Sequence, residues 1–219
     1  TRLNANGAVE QFGYDRYDLS DIKLTAEVNN GTGRAVLQSH TPLIDGTIDL
    51  TALLNPKQVD AHLVCDLINA DFMRMGLTKR PCSTSLAADV KMKSNLKTNY
   101  SVHGTVGNIV IRDSANAYRP ENVFMDCFTR SDSTHAAITC GDFVLRLDGA
   151  GSIDHILTRL EATNAEVEKQ HNERYIDNML IRSSLPDVSL YANVGKQNVF
   201  SRMLKRFGYD FHNAFADLA

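Results

Sequence analysis

The chain has 219 residues, 43% of them hydrophobic and 22% charged, with 23 basic against 26 acidic side chains and a formal net charge of -3. That length suffices for one large or two modest domains with a buried core. The near-neutral balance lacks the basic patch or stripe that a nucleic-acid surface needs. Trp is absent and aromatics make up only 7%, so apolar surface must come from Leu, Ile, Val, Ala and Met.

No run of 18 or more apolar residues occurs, so no segment reads as a membrane-spanning helix. The chain opens Thr1-Arg2-Leu3-Asn4, already in a strand-like pattern and with no signal region, and it stops at Ala219 without an evident terminator. This reads as an excised fragment or a processed chain.

In chain order, period-two alternation governs the first 150 residues. Ile22, Leu24 and Val28 share one parity of Ile22-Lys23-Leu24-Thr25-Ala26-Glu27-Val28, and polar residues hold the other. Successive side chains of a strand point to opposite faces, so the pattern makes a strand with one dry and one wet face. Leu86 and Val90 repeat it, as do Leu145 and Leu147, with weaker versions at 48–50 and 61–65. Asn29-Asn30-Gly31, Asp45-Gly46 and Asp148-Gly149 supply turn chemistry between them. Short strands joined by short turns predict an antiparallel meander.

An internal repeat emerges as well. Tyr17-Asp18-Leu19-Ser20-Asp21-Ile22-Lys23-Leu24 matches Tyr118-Arg119-Pro120-Glu121-Asn122-Val123-Phe124-Met125 in its apolar positions, and Gly7-Ala8-Val9 and Gly104-Thr105-Val106 precede the two copies. Repetition of this kind marks an elongating sheet or a solenoid. The expected organisation is a repetitive sheet over 1–151, with units 1–80 and 81–151, then a helix, a short strand and a second helix over 152–219.

Ser152 is a fitting N-cap for a helix whose thin apolar stripe is Ile153, Ile156, Leu157, Leu160 and Val167. One helix is expected from there to about Ser183, covering part of the sheet. Leu185-Pro186-Asp187 breaks it, 188–194 returns to strand alternation, and a short helix starts near Asn198. Val199, Phe200, Met203, Leu204 and Phe207 lie on one side of it, with Lys205 and Arg206 in the last turn and Gly208 at the C-cap. Its basic, amphipathic character admits a membrane-surface helix beside ordinary packing on the sheet.

A search for chemistry finds no constellation. The seven histidines are scattered without His-x-x-x-His or His-x-His, and His62 and Cys65 fall on opposite faces of a strand. No metal site and no cofactor is expected. There is no Gly-x-Ser-x-Gly elbow and no phosphate- or dinucleotide-binding glycine motif. Gly149-Ala150-Gly151 reads as an exit from a strand, and Asp45 and Asp49 as local turn chemistry. Catalytic residues are therefore not assigned, and an enzyme is not expected. Of the four cysteines, Cys127 and Cys140 fall on strands expected to pair, which allows a cross-strand disulfide.

An amphipathic sheet must hide its dry face. Its own helices, a second sheet, or acyl chains in a curled trough could each do so, and the aliphatic pattern does not choose. The Gly-x-Val and Tyr-x-Leu-x-x-Ile-x-Leu strands, Gly46-Thr47-Ile48-Asp49-Leu50, and Leu185-Pro186-Asp187-Val188-Ser189-Leu190 followed by Gly195-Lys196-Gln197-Asn198 resemble the AsmA/TamB superfamily of bacterial envelope proteins, in particular TamB-like proteins of the Bacteroidetes type. The resemblance implies an internal fragment of a periplasmic protein anchored at the inner membrane through parts missing from this chain. It implies an elongated, curved β-sheet trough with an apolar interior, and the helix after Ser152 is expected on or near that apolar face. It also implies support of phospholipid transport to, or protein assembly in, the outer membrane, with phospholipid acyl chains and an assembly protein of the TamA type as partners. The candidate groove lining is Ile22, Leu24, Val28, Leu86, Val90, Val123, Leu145 and Leu147. The alternative is a non-catalytic structural or adhesive β-domain with a closed core.

Overall fold

The computed structural model describes residues 2–9, 13–14, 17–18, 21–55, 57–195, 198–206 and 215–218, and side chains from residue 21 onward within these, 54, 200, 203, 204, 206 and 215–218 excepted. The strands are β1 (Arg2–Val9), β2 (Gly13–Tyr14), β3 (Tyr17–Asp18), β4 (Ile22–Asn29), β5 (Thr32–His40), β6 (Ile44–Asn55), β7 (Gln58–Asp71), β8 (Cys82–Ser94), β9 (Tyr100–Asp113), β10 (Ala117–Tyr118), β11 (Val123–Thr129), β12 (Ser133–Cys140) and β13 (Phe143–Ala150). Helices α1 (Ile153–Glu173) and α2 (Asn178–Ser184) follow, then β14 (Val188–Asn193), α3 (Val199–Arg206) and β15 (Phe215–Leu218).

Apart from the small β2–β3 pair, every strand joins one antiparallel sheet, in the order β1-β4-β5-β6-β7-β8-β9-β11-β12-β13-β14-β15, with β10 alongside β9. The sheet is open, because its two edge strands, β1 and β15, do not pair with each other. The fold is mainly β, with its helices after the first thirteen strands, as the alternation predicts. The strands are longer than expected, reaching 14 residues in β7 and β9. Strands β14 and β15 carry the same sheet beyond residue 151, so the division expected there runs through one sheet.

The turn chemistry divides into what turns and what does not. Asn30 and Gly31 have φ of 48° and 84° between the paired Asn29 and Thr32, a two-residue hairpin that needs positive φ at both positions. Asp45-Gly46 is no turn. It sits inside β6 at a register shift against β7, a bulge that absorbs an extra residue. Asp148-Gly149 likewise lies within β13.

The two copies of the repeat occupy equivalent pairings. Gly7 and Val9 pair with Leu24 and Ile22, and Gly104 and Val106 pair with Met125 and Val123.

The single helix expected from Ser152 to about Ser183 is two. Ser152 caps α1 by accepting from the His155 N–H, but Arg174 turns left-handed (φ 54°) and Asp177 caps α2 through the Met179 and Leu180 N–H groups. The reversal is fixed by Gln170, a nearly fully buried side chain that accepts from the Asp177 N–H at 2.6 Å and donates to the Asp177 carbonyl at 3.3 Å. At the other end Arg159 donates to the carbonyls of Ser183, in the last turn of α2, and of Leu185, its C-cap. The hairpin is thus held by polar locks at both ends. Lys205 and Arg206 lie in the last turn of α3 as expected, and the expected cap Gly208 lies outside the described residues.

Candidate functional site: an open apolar sheet face

The pairing register decides where the predicted lining goes. One row across the sheet reads Ala26, Ala35, Leu50, Leu63, Val90, Gly104, Met125, Ile138, Leu145 and Ala192. The row on one side of it contains Leu24, Leu37, Ile48, Cys65, Ala88, Val106, Val123 and Cys140, and the row on the other Val28, Gly33, Ala52, Ala61, Met92, Val102, Cys127, Ala136, Leu147 and Leu190. Ile22 shares the parity of Leu24 in β4, and Leu86 that of Val90 in β8 beside a bulge. All of Ile22, Leu24, Val28, Leu86, Val90, Val123, Leu145 and Leu147 therefore lie on one face.

That face is largely open. Among the described residues only Leu43, Ala70, Ile109, Cys140 and Ile156 are buried hydrophobics, although 43% of the chain is apolar. Leu24, Leu37, Ile48, Leu50 and Met92 are each more than one-third exposed. The solvent-accessible surface is 14749 Å², whereas a compact chain of this mass exposes roughly 10,000 Å². Packing has not removed the dry face from water.

The helical hairpin touches the face only at its root. Gly149 shares the parity of Leu145 and Leu147, and a Cβ on it would stand 2.7 Å from Ile156 Cδ1. A side chain at 149 would oblige Ile156 to shift. Beside it Thr134 donates to the Gly151 carbonyl at 2.8 Å, and Thr129 accepts from the Ile153 N–H at 2.8 Å. Beyond this first turn the apolar stripe is only partly covered, with Leu157, Leu160 and Val167 all nearly half exposed. The expectation that the helix covers part of the sheet holds for Ile156 alone.

The cysteines are free, and the disulfide allowed between Cys127 and Cys140 does not form. Cys127 pairs with Ala136 and Cys140 with Val123, four positions apart along β12. That separates them by roughly 13 Å, twice what a disulfide spans. Burial pushes the Cys65, Cys82 and Cys140 thiols up, away from the reactive thiolate, with nearby carboxylates adding to it.

The wet face carries a pattern that reading the histidines singly misses. From β6 to β13 it presents Asp49, His62, Asp89, His103, Asp126, His135 and Asp148, one per strand of the main path and alternating in type. His62 lies 2.8 Å from Asp89, His103 2.9 Å from Asp126, and His135 2.5 Å from Asp148, and His40 meets Asp45 at 2.9 Å at the end of β5. Arg34 grips Asp49 through Nε and Nη2, and that hydrogen bond holds the Asp49 carboxyl below the usual carboxylate range. Phe128 stacks on His135 with ring centroids 5.4 Å apart, and the Arg130 guanidinium sits 4.8 Å over the Phe128 ring. Each partner lies on a different strand, so the only sequence signal was polar parity combined with sequential pairing.

Among the described residues no three His, Cys, Asp or Glu side chains converge in a way that could hold a metal ion. No helix among them is long and apolar enough to cross a membrane. The depressions on the wet face, such as that between Asp89, His103, Phe124 and Asp126, are shallow and open. Comparison with protein-family models, curated proteins and solved structures found no match.

Proposed function

We propose that this chain is an acyl-chain-carrying segment of a TamB-like periplasmic envelope protein, its dry face supporting phospholipid transport to, or protein assembly in, the outer membrane. One observation carries the reading: apolar residues, interrupted only by Gly33 and Gly104, run in rows across the sheet, two of them from β4 to β14, on a face that the chain's own helices leave largely exposed. Exposed apolar patches beyond a few hundred Å² mark a surface that meets another apolar body. A band of aliphatic side chains, without a polar group to fix orientation, suits flexible hydrocarbon. The rival reading, a structural or adhesive domain with a closed core, needs the dry face to be buried, which α1 and α2 do not do. Native mass spectrometry of protein purified without detergent tests the proposal. Co-purifying phospholipid is expected, and a lipid-free spectrum from bacterial envelope preparations counts against conduction.

A further inference from the structure

The connection from β7 to β8 combines a fixed backbone with an unusual load. Residues 72–81 include Arg74, Lys79 and Arg80 and no acid, in a chain whose net charge is -3. A single helical turn, closed by the Met75 N–H on the Asp71 carbonyl, starts the loop. The Gly76 N–H then donates to the Met73 carbonyl and the Leu77 N–H to the Phe72 carbonyl, both at 2.9 Å, with Gly76 at φ 71°. This is the paired bonding that ends many helices. The Phe72 N–H donates to the Cys82 carbonyl at 2.9 Å across the base of the loop. A loop built this firmly nevertheless leaves Leu77 69% and Met73 41% exposed, and Ile68, at the β7 bulge leading into it, 59%.

Its cations are exposed as well. Arg74 lies 3.4 Å from Asp71, while Lys79 and Arg80 meet no carboxylate among the described residues. The carboxylates at this end of β6, β7 and β9 are already engaged, Asp45 by His40, Asp71 by Arg74, and Asp113 by the Ala115 and Asn116 N–H groups. The tip of the helical hairpin is more exposed still, Ile176 at 80% and Met179 at 81%. There, however, Glu173 and Asp177 offset Arg174 and Arg182, so that tip selects no partner by charge.

We propose that the β7–β8 loop docks its end of the sheet on a bilayer surface that carries anionic lipid. Such a surface has two layers, negative headgroups over hydrocarbon, and the loop offers the complement of both in one short segment. Leu77 and Met73 enter the boundary of the acyl region, and the long stems of Lys79 and Arg80 keep their charged heads among the phosphates. The proposal stands on the loop's charge and exposure and does not need the acyl-chain reading of the dry face.

Trp is absent, so one introduced indole reports on its own surroundings. Leu77→Trp places it in the loop, and Met179→Trp places it on the helical hairpin, which leaves the opposite end of the sheet after Ala150. Each full chain is mixed with vesicles of phosphatidylglycerol and phosphatidylcholine, and with vesicles of phosphatidylcholine alone. Unchanged far-UV circular dichroism verifies that the variants fold, and co-flotation of the unsubstituted chain with the anionic vesicles only is expected alongside. The expected result for Leu77→Trp is a blue shift and reduced acrylamide quenching on the anionic vesicles, with Met179→Trp unmoved. Adding Lys79→Gln and Arg80→Gln to Leu77→Trp is expected to raise the lipid concentration at half-shift about 25-fold, a factor of roughly five for each basic residue near such a surface. No shift in Leu77→Trp overturns the proposal. A shift in both variants, an equal shift on both kinds of vesicle, or a half-shift unmoved by removing the two charges means indiscriminate apolar adhesion and overturns it too. Phospholipid co-purifying with the dry face is measured separately, so either reading can fail while the other stands.

Discussion

Leu50 and Leu63 face each other in the middle of the dry face, and their energetics differ from those of a closed core. Fully burying a leucine is worth about 1.5–3 kcal/mol, and Leu50 is still 38% exposed. Leu50→Glu is therefore expected to cost about 1–2 kcal/mol, read as a modest shift in a urea melt, while abolishing co-purified lipid. Asp49 illustrates the opposite case, a side chain governed chiefly by one partner. Its carboxyl is held low by Arg34, so its contribution is present above an ordinary carboxylate pKa of about 4 and lost as pH falls through the depressed value. Arg34→Gln is expected to move the Asp49 carboxyl resonance, followed by NMR against pH, up toward the ordinary range. Being exposed, the pair contributes little to stability. The thiols give a third expectation at this scale: Cys65, Cys82 and Cys140 react slowly with a maleimide at pH 7 in the folded chain and rapidly in urea.

Among the elements, the strands were legible and the hairpin of helices was not. Period-two alternation places Ile22, Leu24 and Val28 on one face without reference to any partner, because parity is a property of one strand. Which face of β4 meets which face of β13 is a property of every turn between them, so the common face of Leu24 and Leu145 emerges only from the accumulated register. Asp45-Gly46 misled because a bulge and a turn ask for the same residues, a glycine beside a small polar one. The break at Arg174 escaped for a different reason. No Pro or Gly marks it, and Gln170, reaching across to Asp177, supplies the pairing that makes the reversal. Gln170→Ala leaves the Asp177 N–H and carbonyl without that partner, at about 1–3 kcal/mol for a buried pair. The expected outcome is faster hydrogen exchange from Tyr175 to Ile181 with protection in β6 to β9 unchanged.

Taken whole, the molecule is wide relative to its mass. Twelve strands in the main path, spaced about 4.8 Å apart, put its edges roughly 50 Å from each other. A compact chain of this length has a radius of gyration of about 17 Å. Small-angle scattering from the monomer is expected to give a clearly larger value, and a value at 17 Å would mean that the sheet has closed on itself. The TamB-like reading rests on this openness together with the sequence patterns of the strands, and lipid binding is where it is most exposed to refutation.

Strand order follows chain order from β4 to β9 and again from β11 to β15, which gives the sheet the character of a ruler. Inserting or deleting one complete hairpin changes its width by about 10 Å and leaves every other residue on the face it already occupies. A single-strand change would instead reverse the chain direction of everything after it. The distance spanned by such a surface can thus be adjusted in two-strand steps while its greasy side stays continuous, a property well suited to a protein that must match a gap of fixed size.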